Sequence, residues 1–295
     1  MQIGIASGKG GTGKTTVAVN LALANSAIGH LLDCDVEAPN CHLFLPAGAG
    51  DTRTVGIPVP QIDADRCQAC GTCARFCQFK ALAAFGTQPL VFPELCHGCG
   101  GCARLCPHGA IRLVPHPIGE VETRVIDLAG RPALTLVTGR LQVGHPMSPP
   151  LIRAVRQACQ RSTITVIDSP PGTSCPVIAA IHGCDVVVLV TEPTPFGLHD
   201  LQLAVATVRR LRLPFGVVVN RAEPGETIVA DYCHHDAIPL LAELPFDRRL
   251  AEAYSRGVPA VVAAPDQLAI YRALLTRIQS LAHTPHPITP ADCLT

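Results

Sequence analysis

The segment Gly8–Thr15, GKGGTGKT, constrains the fold more than any other stretch of the chain. It meets the spacing G-x-x-x-x-G-K-[ST] between a strand-like run and a helix-like run. Residues 2–6 (QIGIA) read as a short buried strand, and from Thr15 to about Ser26 the pattern TTVAVNLALANS is helical, with Gly29 as its expected C-terminal cap. HLLDCD then enters a second short strand ending at Asp33. Glycines in such a loop let successive backbone N–H groups turn inward as an anion nest, and the helix N-terminus adds its dipole. Lys14 then reaches the terminal phosphates and the Thr15 hydroxyl ligates magnesium. Strand, glycine loop, helix and strand open a parallel α/β sheet.

The same rhythm returns downstream. ITVID (164–168), DVVVLVT (185–191) and FGVVVN (215–220) are apolar runs of the kind that strands covered on both faces require. LHDLQLAVATVRRL (198–211) is an amphipathic helix, DQLAIYRALLTRIQSLA (266–282) is a closing helix, and the proline-rich residues 284–295 are expected to be disordered.

Between about residues 60 and 115 the character changes, with eight of the 15 cysteines falling there. Shifted by 29 positions, CQACGTCARFCQFKAL (67–82) overlays CHGCGGCARLCPHGAI (96–111), so the segment holds two copies of one unit. Each copy reads C-x2-C-x2-C-x3-C, in which three thiolates of one loop serve one cluster and the fourth reaches across to the other. The expected assignment is therefore crossed: Cys67, Cys70, Cys73 and Cys106 for cluster 1, and Cys77, Cys96, Cys99 and Cys102 for cluster 2. Zinc is the alternative, but four-ligand sites built from C-x2-C pairs do not account for three cysteines per loop twice over. Cys34, Cys41, Cys159, Cys175, Cys184, Cys233 and Cys293 show no ligand spacing and read mainly as small buried hydrophobes, with Cys34 and Cys175 close enough to the nucleotide motifs to be redox-sensitive.

Composition narrows the function. With 23 basic and 23 acidic side chains, the chain lacks the cationic surplus that phosphate-backbone binding needs, so no nucleic-acid partner is expected. No apolar run approaches the roughly 18 to 20 residues of a membrane span, and no secretory signal precedes QIGIA, so neither a membrane nor an extracellular setting is expected. A cytoplasmic location keeps thiols reduced and directs the cysteines to metal. Only three lysines occur against 20 arginines, and two of them, Lys9 and Lys14, lie in the glycine loop.

Lys9, in K-G-G-x-G-K-T, resembles the deviant Walker A motif of the MinD/ParA superfamily, which includes the nitrogenase iron protein. The resemblance implies an α/β P-loop NTPase with a mostly parallel sheet, here interrupted by a small α+β ferredoxin-like insertion. It also implies an ATP-dependent homodimer in which Lys9 reaches the facing subunit's phosphates. Lys9, Lys14 and Asp35 are its implied catalytic groups, with Asp35 orienting or activating the attacking water. Gly8, Lys9, Gly10, Gly11, Thr12, Gly13, Lys14, Thr15, Thr16 and Asn220 are the implied ATP contacts, Asn220 matching an adenine-reading asparagine. Thr15, Asp33 and the Walker B-like Asp168 are the implied magnesium residues, and SPPGTS after Asp168 looks like switch II. Taken alone, Asp33 and Asp35 read equally as strand-end charge and Asn220 as a terminal turn; their order along the chain favours the functional reading.

The cysteine segment resembles bacterial-type two-cluster ferredoxins, which implies two 4Fe-4S clusters. Pro107 follows Cys106 as that pattern expects, whereas Gln78 follows Cys77. DCDVEAPNCHLFL, EPTPFGLHDL and ELPFDRRLAEAYSRGVP look like the MinD-type subgroup carrying such an insert, although the stretch from Lys14 to Asp33 is shorter than usual. The expected organisation is an ATPase unit (1–59 and 116–283), an inserted cluster unit (60–115) and the tail. Three functions follow in order: ATP-coupled electron transfer to an unknown redox partner, iron–sulfur cluster assembly or carriage, and partition-type positioning. The second lacks a C-x-x-C after Cys106, and the third lacks a basic or membrane-binding helix.

Overall fold

The computed structural model describes residues 1–84, 86, 88–159 and 163–283; the expected disordered tail and Cys293 lie outside the described residues. In chain order the strands are β1 (Gln2–Ala6), β2 (Ile28–Asp33), β3 (Ala49–Ile62), β4 (Leu82–Ala83), β5 (Leu90–Val91), β6 (Ile111–Ile126), β7 (Leu134–Leu141), β8 (Ile164–Asp168), β9 (Val186–Thr191), β10 (Phe215–Ala222) and β11 (Leu240–Pro245). The helices are α1 (Lys14–Ala24), α2 (Thr72–Phe76), α3 (Gly101–Arg104), α4 (Pro149–Gln157), α5 (Cys175–Ile181), α6 (Pro195–Arg210), α7 (Ile228–His235), α8 (Arg248–Ser255), α9 (Ala260–Ala263) and α10 (Gln267–His283).

One sheet of nine strands runs in the order β11-β10-β9-β1-β8-β2-β7-β6-β3. The strands from β11 to β7 are mutually parallel, and β6 and β3 continue the sheet antiparallel. Alternation along β9 shows how the sheet is buried. Val186, Val188 and Val190 enter the core with α1 and α10, while Val187 and Leu189 enter the opposite core with α4, α5 and α6. A strand with both faces covered must be apolar throughout, which is why these runs show no polar alternation.

Gly29 does not cap α1. That helix stops at Ala24, and Asn25 turns the chain, its side-chain amide donating to the Leu21 carbonyl at 2.8 Å and to that of Tyr271 at 3.3 Å. Gly29 lies instead inside β2, where a Cβ would sit 2.7 Å from the Thr163 hydroxyl.

β3 and β6 pair from Ala49↔Val125 to Ile62↔Ile111. Only the part of β6 from Gly119 onward pairs with β7, and Gly119 stands opposite Leu141 at the C-terminal end of β7. The ribbon of residues 55–62 and 111–118 therefore projects beyond the edge where the parallel strands end, which is also the edge from which the glycine loop leaves β1. The described residues between 63 and 110 hang from the ribbon tip, with α2, α3 and the β4–β5 pair around a small core of Cys73, Leu82 and Cys102.

Candidate functional site

The loop after β1 takes its shape from glycine. Gly11 and Gly13 adopt φ of 81° and 96°, and a Cβ on Gly10 or Gly11 would meet no atom within 4 Å, so the inner face of the loop is open backbone. Lys14, at the first turn of α1, is buried, and burial lowers its pKa while Asp168 and Asp35 oppose the shift. A cavity of about 520 Å³ opens beside the loop, lined among others by Lys14, Thr16, Asp35, Asn220, Phe246 and Tyr254.

Sheet register brings the acidic residues together. β8 lies between β1 and β2, placing Asp168 beside Ile5 on one side and beside Asp33 on the other. The Thr15 hydroxyl donates to Asp168 Oδ2 at 2.6 Å. Asp33 Oδ2 accepts the backbone N–H groups of Asn40 and Cys41, each at 2.9 Å. The other carboxylate oxygens, Asp33 Oδ1 and Asp168 Oδ1, are buried without a hydrogen-bond partner. Burial, reinforced by neighbouring carboxylates, raises both pKa values, and burial lifts that of Asp35 to about 6 against the pull of Lys14. Two buried carboxylates with orphaned oxygens and a threonine hydroxyl form a hard oxygen donor set short of positive charge, with the Lys14 ammonium beside it for phosphate. These residues fit a divalent cation carrying nucleotide phosphate.

The remaining residues of the predicted set lie around this centre. Asn220, near the end of β10, donates from Nδ2 to the Thr12 carbonyl at 2.8 Å, so it braces the glycine loop and also faces the cavity. Gly8 packs on α6, where a Cβ would lie 2.0 Å from the Asp200 carbonyl oxygen. Lys9 pairs with Glu192 of its own chain. Sequence reasoning missed Glu192 and Cys41. Glu192 follows an ordinary buried strand, and Cys41 carried no ligand spacing. It lies eight residues after Asp33 in a 3-10 turn, Cys41–Phe44, folded back by the Asp33 hydrogen bonds.

At the ribbon tip the cysteines surround two cavities. Cys67, Cys70, Cys73 and Cys106 line one, and Cys77, Cys96, Cys99 and Cys102 line the other. The internal repeat extends to the backbone. Positive φ recurs at Ala69 and Gly98, at Gly71 and Gly100, and at Lys80 and Gly109, each pair separated by the 29-residue shift. Backbone amides also face sulfur, Gly98 N–H to Cys96 Sγ at 3.4 Å and Ala110 N–H to Cys106 Sγ at 3.3 Å. Four soft thiols around each cavity, with amides turned toward sulfur, fit an iron–sulfur cluster.

The CobQ/CobB/MinD/ParA nucleotide binding domain matches residues 3–260. The chain belongs to this family. An uncharacterised protein of Methanocaldococcus jannaschii is 28% identical over 87% of this chain and 90% of its own length, and a second from the same organism is 32% identical over 75% and 78%. The iron-sulfur cluster carrier protein of Aquifex aeolicus is 24% identical over 90% of this chain and 62% of that protein. Among solved structures, the septum site-determining protein MinD complexed with Mg-ADP from Pyrococcus horikoshii superposes with a TM-score of 0.57. It is 21% identical and covers 96% of this chain and 97% of that one. The mostly parallel α/β sheet and its glycine loop are thus those of the MinD/ParA family. Among the described residues no helix is long and apolar enough to cross a membrane.

Proposed function

We propose that this chain is an ATP-hydrolysing iron–sulfur protein in which a nucleotide-dependent homodimer switch is coupled to electron transfer through two 4Fe-4S clusters. One observation carries the reading: each cavity of the 63–110 segment takes three cysteines from one repeat and the fourth from the other. In this reading residues 60–115 form a redox module inserted into an ATPase unit.

The clusters, when bound, supply one-electron chemistry. The protein's residues do the rest. Lys14 and the loop amides hold the phosphates, while Thr15, Asp33 and Asp168 hold the magnesium ion. Asp35, with its carboxyl lifted to about 6, is still largely ionised at neutral pH and orients the attacking water. Lys9 serves the facing subunit. The main chain links the two ends: the Val36 carbonyl, one residue after Asp35, accepts from Leu141 N–H at 2.8 Å, and Gln142 N–H donates to Ile118 in the strand that leads back to Cys106 at 2.9 Å.

Iron–sulfur cluster carriage is the second reading, supported by the carrier proteins among the relatives. Anaerobic purification with iron counting, EPR and ATPase assays separates the two. The first reading expects about eight irons per chain, retained through turnover, and partner reduction that changes with ATP. Zinc, or about four irons, overturns the cluster assignment. Identical redox behaviour with and without ATP overturns the coupling, and transfer of iron and sulfide to an apo-acceptor favours carriage.

A further inference from the structure

We infer that Cys41 is a soft ligand built into the cation site of Asp33 and Asp168, so that this site accepts a thiophilic divalent cation of the zinc or ferrous class as well as magnesium. The inference rests on the reading of Asp33 and Asp168 as cation residues and adds a donor that the motif does not contain.

One ligand atom from each of Asp33, Cys41 and Asp168 lies within 4.8 Å of the others, and all three side chains are fully buried. The position of Cys41 is set by Asp33, whose Oδ2 takes its backbone N–H at 2.9 Å, while its Sγ lies 3.5 Å from Asp168 Oδ2. Two carboxylate oxygens, Asp33 Oδ1 and Asp168 Oδ1, are sealed from water without a partner, an arrangement that a bound proton satisfies in the metal-free protein and a bound cation satisfies in its place. Ligand atoms around a four-coordinate zinc ion are about 3.5 Å apart, so a modest inward shift closes this set. Thr15 Oγ1, 2.6 Å from Asp168 Oδ2, is available as a fourth donor.

Hard and soft preference decides what the sulfur does. Magnesium is satisfied by oxygen in near-ideal octahedral geometry and gains little from sulfur. A thiolate shifts selectivity toward zinc and ferrous iron. On binding, the Cys41 thiol releases its proton to solvent and forms the metal–sulfur bond without oxidation or reduction. A role in packing alone asks only for a small side chain, and serine or alanine then serves almost as well.

The test uses anaerobic holoprotein with both clusters in place, freed of magnesium and given one equivalent of zinc. X-ray absorption at the zinc edge does not see the cluster iron. The expected shell is one sulfur at about 2.3 Å with oxygen neighbours in the wild type, and oxygen and nitrogen alone in Cys41→Ser. Zinc affinity is expected to fall at least about tenfold in Cys41→Ser with magnesium affinity held within about twofold, and Cys41→Ala repeats the comparison should the serine variant fold poorly. A wild-type shell without sulfur overturns the inference. So does a sulfur signal that survives both substitutions, which places the zinc on other thiols, or an equal loss of both metals, which means packing. Asp168→Asn is expected to abolish binding of both; if both metals bind it normally, the cation reading of Asp33 and Asp168 fails with the inference.

Discussion

The Lys9 ammonium lies 3.4 Å from the Glu192 carboxylate of its own chain. Glu192 also accepts Arg221 Nη1 at 2.5 Å, so one carboxylate at the end of β9 holds two cations beside the glycine loop. A lysine destined for a facing subunit's phosphate must leave this pair first. With Lys9 about a third exposed the pair is weak, on the order of 0.2–1 kcal/mol, and a phosphate readily outcompetes it. Lys9→Ala is expected to cut ATP turnover by roughly 100-fold with nucleotide affinity nearly unchanged, because a cation delivered in trans acts mainly on the transition state. Glu192→Gln is expected to lower the protein concentration giving half-maximal turnover by about 2- to 30-fold, the range set by that pair energy counted once for each of the dimer's two subunits. Turnover measured against protein concentration checks both.

The proposed crossed ligation makes an unusual demand on Cys77. Although it belongs to the first repeat, it shares a cavity with Cys96, Cys99 and Cys102. Cys77→Ala and Cys106→Ala are each expected to reduce iron from about eight to about four per chain, with different clusters surviving. Iron analysis and EPR of the two variants decide the matter. Identical residual spectra would contradict crossing.

The buried carboxylates tie stability to pH. Burial pushes Asp33 up to about 8 and Asp168 to about 6 from an ordinary 3.8, so the folded chain keeps protons that the unfolded chain has released. Stability of the magnesium-free protein therefore falls as pH rises from about 4 toward 8, because the folded state binds more protons throughout that window. Thermal denaturation followed by circular dichroism under anaerobic conditions is expected to show this decline, a smaller one with magnesium and nucleotide, and a flatter profile for Asp33→Asn.

Gly13 and Asn220 are expected to behave as one unit. Gly13 has φ of 96°, and a Cβ there would lie 2.2 Å from Asn220 Nδ2, the atom that braces the Thr12 carbonyl. Gly13→Ala is expected to cost about 1–3 kcal/mol and to abolish nucleotide binding. Adding Asn220→Ala removes the clash and leaves the backbone strain, so the double variant recovers part of the loss, with a coupling energy of about 1 kcal/mol in a denaturant-based mutant cycle.

Much of this molecule can be read along the chain because its signals are local. The glycine loop, the uninterrupted apolar strands β8, β9 and β10, and the cysteine repeat each declare themselves within a few residues. The ribbon does not. β3, AGDTRTVGIPVPQI, mixes glycine, proline and exposed polar residues, and it is a strand only because residues 111–126 pair with it across the whole inserted segment. Gly29 misleads for a related reason, since a glycine after a helical run suits a cap as well as a close approach to Thr163.

The sequence by itself determined the family's phosphate loop, the identities of eight thiols in two equal units and the presence of acidic residues after apolar strands. Tertiary structure alone decided which of these meet. Asp33 faces Asp168 through the β2–β8 register, Cys41 joins them because Asp33 folds its turn back, and Lys9 finds Glu192 at the end of β9, which lies beside β1 in the sheet although eight strands later in chain order. Periodicity encodes which face of an element is buried, whereas the partners across a sheet depend on strand order and register, which contacts distant in sequence set together.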